Sequence, residues 1–141
     1  MKILVLCTGN SCRSQMAEGY LRLFAGDSAD IYSAGVETHG VNLKAIAVMN
    51  EDGVDISAHQ SNSINEYKNI DFDFVITVCD NAKERCPYFP ARAKKMHYNF
   101  PDPAKAVGTE EAVIEQFRLV RDMIKIYCRD FVSHYVRPGI G

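Results

Sequence analysis

The stretch Ile3-Leu4-Val5-Leu6-Cys7-Thr8-Gly9-Asn10-Ser11-Cys12-Arg13-Ser14 joins an unbroken apolar run to a glycine turn and a polar helix start. Four apolar residues in a row suit a strand buried on both faces, as in a parallel sheet. Beyond it, Met16, Ala17, Tyr20, Leu21 and Phe24 recur at spacings that line one helix face, with Gly26 as a stop. Asp30 to Ala34 reads as a second strand, ended by Gly35. Asn42 caps a predicted helix carrying Leu43, Ile46, Ala47 and Met49, with Gly53 past its end. Ser63 or Asn65 opens a short helical turn.

Phe74 to Val78 is the clearest strand after the first. Cys79 to Pro90 is expected to be irregular, because Pro87 and Pro90 disrupt regular structure. Lys95 to Phe100 is the last predicted strand. From about Glu110 the chain turns helical, and Val113, Phe117, Val120, Ile124, Tyr127 and Phe131 form a stripe read as core. Pro138 and its neighbouring glycines mark a frayed tail. Strands alternating with helices, with no repeat or linker, predict one α/β domain over residues 1–141 with a mostly parallel sheet. Ligands of such sheets sit at the carboxyl ends of the strands, where strand order reverses. Cys7 and Cys79 both lie just past such ends.

A chain of 141 residues with 47% hydrophobic and 24% charged residues is ordinary for one globular domain. Sixteen basic residues against 18 acidic ones exclude a broad basic face for nucleic acid. No apolar run approaches the ~20 residues of a membrane helix, and Ile3 to Leu6 is shorter than the ~7-residue minimum of a secretory core. A cytosolic location is expected, where thiols stay reduced. Five cysteines cannot all pair within one chain, so reactivity, metal binding or packing must account for them.

In the loop after the first strand, Gly9 lets the backbone turn tightly. Successive N–H groups from Thr8 through Ser14 can point inward as an anion-binding nest, reinforced by the helix N-terminus. Arg13 adds a planar, permanently charged fork suited to a tetrahedral oxyanion. The same field is expected to lower the pKa of Cys7, and Ser14 could donate a hydrogen bond to it. The picture is a thiolate nucleophile beneath a bound oxyanion. Pro101-Asp102-Pro103 is a stiff turn after a predicted strand, suited to holding a carboxylic acid over the loop.

Residues 7–19, Cys-Thr-Gly-Asn-Ser-Cys-Arg-Ser-Gln-Met-Ala-Glu-Gly, resemble the low-molecular-weight tyrosine phosphatase superfamily. Within it they are similar to the thioredoxin-coupled arsenate reductases. The resemblance continues through residues 32–42, Tyr-Ser-Ala-Gly-Val-Glu-Thr-His-Gly-Val-Asn, and covers nearly the whole chain. It implies a four-stranded parallel sheet with flavodoxin-like strand order, Cys7 as nucleophile and Arg13 as oxyanion binder. A phosphatase of this kind needs no other thiol, whereas a reductase must move two electrons. Cys79 and Cys86 supply a further pair. The resemblance implies that Cys7 attacks arsenate while Asp102 protonates the departing hydroxyl. Cys79 then attacks Cys7, Cys86 attacks Cys79, and thioredoxin reduces the final disulfide. On a straight helix Cys79 and Cys86 would lie about 10.5 Å apart, beyond the ~7 Å a disulfide tolerates. The segment must therefore be irregular or unwind on oxidation. Phosphatases of the superfamily usually carry an aromatic residue near the position of Ala104, and its absence argues for a small inorganic substrate.

A four-cysteine zinc site is a rival reading. The spacing of Cys79 and Cys86 exceeds the usual ligand spacing, and Arg13 would repel a cation. Cys12 is expected to pack beneath the loop or tune it, and Cys128 to pack in the last helix. His39, His59, His97 and His134 show no metal-ligand pattern. In some relatives potassium is held by residues matching Asn10, Glu18 and Ser33 with an aspartate where this chain has Asn62, so no metal is expected. The sequence thus predicts a monomeric, cofactor-free arsenate reductase that binds arsenate, with phosphate or sulfate as mimics, and uses thioredoxin. A phosphatase and a non-catalytic redox-sensing or oxyanion-binding module are the alternatives.

Overall fold

The computed structural model describes residues 1–79 and 93–136. Four strands form one fully parallel sheet: β1 (Lys2–Cys7), β2 (Asp30–Gly35), β3 (Phe74–Thr77) and β4 (Lys94–His97), in the order β2-β1-β3-β4. The apolar run of β1 sits at the centre, with Ile3, Leu4 and Val5 fully buried. β1 pairs with β2 from Lys2 opposite Asp30 to Cys7 opposite Gly35, and with β3 from Ile3 opposite Phe74 to Leu6 opposite Thr77. The chain leaves β1 for one side and later returns on the other. Strand order therefore reverses at the carboxyl end of β1, where Cys7 lies beside Val78 and Cys79.

Helix α1 (Arg13–Ala25) follows the loop and ends at Gly26, whose N–H bonds the Arg22 carbonyl. Its face buries Met16, Ala17, Tyr20 and Leu21. Helix α2 (Leu43–Glu51) begins at Asn42, whose side chain accepts from the N–H groups of Lys44 and Ala45. Its packed face differs from expectation: Ala45, Val48 and Met49 are buried, while Leu43 is 81% exposed. The packed face is rotated by about one residue, roughly 100°, because contact with α1 and the last helix, rather than local pattern, selects it. Ser63 caps the turn Ile64–Tyr67 reciprocally with Glu66.

Helix α3 (Glu110–Phe131) is capped by Thr109, whose hydroxyl accepts from the Ala112 N–H. It buries Phe117, Val120, Ile124, Cys128 and Phe131. Each such side chain contributes about 1.5–3 kcal/mol, so burial outweighs the ~1 kcal/mol of a cap. Cys128 is a core residue, its thiol 3.7 Å from the Ala17 carbonyl. β4 is shorter than the expected Lys95–Phe100. Beyond His97 the N–H groups of Tyr98 and Phe100 still bond the Thr77 and Val78 carbonyls, and Phe100 is buried with its carbonyl accepting from Arg13. The expected irregular segment from Cys79 to Pro90, apart from Cys79, and the tail at Pro138 lie outside the described residues. No described helix is long and apolar enough to cross a membrane.

Candidate active site

Cys7 ends β1, Arg13 opens α1, and residues 8–12 wrap between them around a cavity of about 180 Å³. Cys7, Thr8, Gly9, Ser11, Cys12 and Arg13 line it, with His39, Asp102 and Ala104 forming the rest of the wall. The loop is held from outside. Its carbonyls accept in turn from distant donors: Thr8 from the Glu37 N–H, Gly9 from the His39 N–H and the Ser61 hydroxyl, and Ser11 from the Asn42 N–H. The Asn10 carbonyl accepts from the Gln15 amide at 3.1 Å, and the Cys12 carbonyl from the Met16 N–H. In a trans peptide the carbonyl and the next N–H point in opposite directions. With these carbonyls engaged outside, the amides of Gly9 through Arg13 lie on the opposite sides of their peptides, the arrangement an anion-binding nest requires.

Asn10 adopts φ +47° and is fully buried. Its side chain donates toward the Ser33 and Asn62 carbonyls at 3.4 Å and accepts from the Ser14 hydroxyl at 2.8 Å. Ser14 therefore bonds Asn10, not Cys7 as expected. Gly35 sits directly under the loop: a Cβ there would lie 2.7 Å from the Asn10 nitrogen and 2.8 Å from the Thr8 oxygen. Asn10, Glu18, Ser33 and Asn62 do come together, but the interaction is internal, with Ser33 donating to Glu18 and Glu18 paired to Arg22. Among the described residues no His, Cys, Asp and Glu side chains cluster as a metal site.

Arg13 donates from Nη1 to the Phe100 carbonyl at 2.9 Å, and its Nη2 lies 3.6 Å from Asp102 Oδ2. Its Nε is buried with no partner among the described residues. A buried donor left unpaired costs about 1–3 kcal/mol, so the guanidinium is held in place with unspent donor capacity at the cavity. Asp102 caps the turn Pro103–Lys105, accepting from the Ala104 N–H at 3.0 Å.

Cys79 joins the site from the end of β3. Its sulfur lies 3.3 Å from the Thr8 hydroxyl, and it is the neighbour whose hydrogen bonding most affects the Cys7 thiol. That bonding, followed by burial, pushes the Cys7 thiol up, while Arg13 and the Thr8 amide pull it down. The expected depression of Cys7 is thus overridden by its neighbour, since two adjacent thiols do not ionise together. Burial, then Asp102, pushes Cys12 up to about 12. Cys86 lies outside the described residues. The sequence reading missed His39 as a wall of the site. Its ring packs against Gly9, where a Cβ would collide with it.

The low molecular weight phosphotyrosine protein phosphatase family model matches residues 2–137. The chain is 49% identical over 122 residues to the arsenate reductase of Halalkalibacterium halodurans, covering 86% of this chain and 88% of that one. A solved arsenate reductase in a phosphate-binding state superposes with a TM-score of 0.77 at 30% identity, covering 94% of this chain and 97% of that one. An arsenate reductase in an oxidised state gives a TM-score of 0.82 at 29% identity with the same coverage.

Proposed function

This chain belongs to the low molecular weight phosphotyrosine protein phosphatase family, and on that premise we propose that it reduces arsenate to arsenite through a three-thiol relay, as a monomeric cytosolic detoxification enzyme. One observation carries the reading. A second thiol, Cys79, is buried at the end of β3, in the strand next to that of the nucleophile Cys7, with its sulfur 3.3 Å from the Thr8 hydroxyl of the loop. Hydrolysis through a cysteinyl-phosphate has no use for that thiol, whereas reduction requires it.

Arsenate sits on the amides of Gly9 through Arg13, its charge met by the guanidinium of Arg13. Thr8, Asn10, Ser11, Cys12 and Ser14 complete or hold the loop. The Cys7 thiol passes its proton to an oxygen of the bound arsenate and its sulfur attacks arsenic, forming a sulfur–arsenic bond, while Asp102 protonates the departing hydroxyl as water. The Cys79 thiolate then attacks the Cys7 sulfur. The electron pair of the sulfur–arsenic bond passes to arsenic, which leaves as arsenite, and a Cys7–Cys79 disulfide remains. Cys86 attacks Cys79, freeing Cys7 and forming Cys79–Cys86, and a thioredoxin dithiol reduces that bond by exchange. No cofactor enters the sequence. The small cavity, bounded by Ala104 where an aromatic would grip a phosphotyrosine ring, favours an inorganic substrate.

The test is arsenate turnover with thioredoxin, thioredoxin reductase and NADPH, comparing wild type with Cys7→Ser, Cys79→Ser and Cys86→Ser. All three variants are expected to stop multiple turnover. Full turnover in Cys86→Ser would overturn the relay. Because the nest accepts any tetrahedral oxyanion, slow phosphate-ester hydrolysis is expected to survive in Cys79→Ser and to vanish in Cys7→Ser.

A further inference from the structure

Gln15, in the first turn of α1, is fully buried and lies outside the lining of the oxyanion cavity. A primary amide carries two N–H donors and one acceptor oxygen. Here Nε2 donates to the Asn10 carbonyl at 3.1 Å and to the Gln60 carbonyl at 2.9 Å, so both donors are used. Carbonyls only accept, which fixes the nitrogen toward them and the oxygen toward His59, whose Nδ1 lies 3.1 Å away and donates to it. The amide cannot turn over without losing all three bonds. The carbonyls of Thr8, Gly9, Ser11 and Cys12 each accept from a backbone N–H. Among the described residues, only the Asn10 carbonyl of this loop is held by a side chain alone. Asn10 is also the one non-glycine at positive φ, +47°, among the described residues. Such a conformation costs an L residue energy and persists only where its surroundings impose it.

We propose that Gln15 is a positioning residue for the oxyanion site: by holding the Asn10 carbonyl, it keeps the peptide between Asn10 and Ser11 turned so that the Ser11 N–H serves the bound anion. The inference rests on the oxyanion-site reading above and extends it to a side chain that does not touch the substrate. The carbonyl and N–H of one trans peptide point in opposite directions. Without the Gln15 amide that peptide is free to turn over, which puts a carbonyl oxygen where the anion needs a donor. The loss falls on anion binding in the ground state and the transition state alike, and not on the thiol steps that follow.

The test compares wild type with Gln15→Met, which keeps the length of the side chain and removes both donors. Sulfate binding is measured by calorimetry, and arsenate turnover with thioredoxin, thioredoxin reductase and NADPH. The sulfate Kd and the arsenate KM are both expected to rise about five- to thirtyfold, part of the effect of one charge-assisted bond, with kcat within about twofold of wild type. In NMR spectra the Ser11 amide signal, single in the free wild type, is expected to broaden or double in the free variant and to become single again with saturating sulfate. A purely structural role would lower the urea midpoint and leave Kd, KM and the Ser11 signal unchanged. That result overturns the proposal, as does a fall in kcat with KM unchanged, and both leave the oxyanion site standing. Should Gln15→Met fail to fold, Gln15→Asn, which withdraws the amide from the Asn10 carbonyl by one methylene, carries the same comparison. Absence of sulfate binding in wild type overturns the site reading itself.

Discussion

Arg13→Lys separates charge from geometry at the centre of the site. The guanidinium performs three tasks at once. Nη1 holds the Phe100 carbonyl at 2.9 Å, Nη2 faces Asp102 at 3.6 Å, and Nε is buried without a partner among the described residues. An arriving oxyanion can accept from the donors that remain. Lysine keeps the charge but gathers its three donors at one point, so it cannot hold Phe100 and fork onto the anion together. At least one charge-assisted bond is lost in the bound state, worth about 1.5–3 kcal/mol. That corresponds to a fall of roughly tenfold to 150-fold in kcat/KM for arsenate. The ligand-free fold should suffer less, because the substitution also removes the orphaned Nε donor. The charge-assisted bond to the Phe100 carbonyl is at stake, about 1.5–3 kcal/mol, offset by the roughly 1–3 kcal/mol recovered when that unpaired buried donor is removed. Steady-state turnover gives the first quantity, and a urea unfolding curve with unchanged slope gives the second. Phosphate should raise the thermal midpoint of wild type and do so much less for Arg13→Lys. A kcat/KM within threefold of wild type would show that point charge suffices and refute the fork argument.

Three further outcomes follow from local geometry. In Cys79→Ala the hydrogen bond that most raises the Cys7 thiol is gone, leaving burial against Arg13 and the Thr8 amide. Alkylation of Cys7, followed by mass spectrometry across pH, should then reach its midpoint at lower pH than in wild type. An unchanged or higher midpoint contradicts the coupling. Asn42→Ala removes the side-chain acceptor for two N–H groups of α2 but keeps the backbone N–H that binds Ser11. It should cost about 1 kcal/mol in urea unfolding with kcat/KM retained. Asp52 is held below the usual carboxylate range by hydrogen bonds from Lys125, then Tyr20, at 2.9 and 2.7 Å. Since its folded pKa is depressed, its contribution is present above the unfolded value of ~3.9 and is lost as pH falls through the folded one. Asp52→Asn should cost at most about 1 kcal/mol at neutral pH for so accessible a pair. That difference should close in acid, and a gap of constant size from neutral to acid pH would contradict it.

The first strand, its loop and α1 were legible because three local signals coincide there: an apolar run, a glycine turn and a 3.6-residue period. α3 was legible for a related reason, since 22 residues with one buried stripe leave no competing register. β4 was harder. Lys94–His97 is an edge strand with exposed or half-buried side chains, so no alternation marks it. The buried residue that drew the strand assignment onward, Phe100, serves through its carbonyl instead. Within the site, Cys7, Arg13 and Asp102 carry local motifs, but Cys79 reaches Cys7 only because β1 and β3 are neighbours in the sheet.

His39 falls within the 32–42 stretch of resemblance but carries no catalytic or ligand motif, and its place in the cavity wall depends on the same collar that shapes the loop. A glycine-containing loop does not by itself form a nest; its carbonyls must have somewhere else to go. Here Glu37, His39, Asn42, Ser61 and Gln15 take them one after another. The pairing of Cys7 with Gly35 brings the first of these donors under the loop, and Gly35 leaves no Cβ in the way. The amides are thus turned inward before any anion arrives, and the ordering cost is met in folding rather than in binding. The short sequence from Ser33 to Asn42 therefore belongs to the site as fully as the cysteine loop does. Its polar backbone holds the loop outward while one of its side chains, His39, closes the cavity.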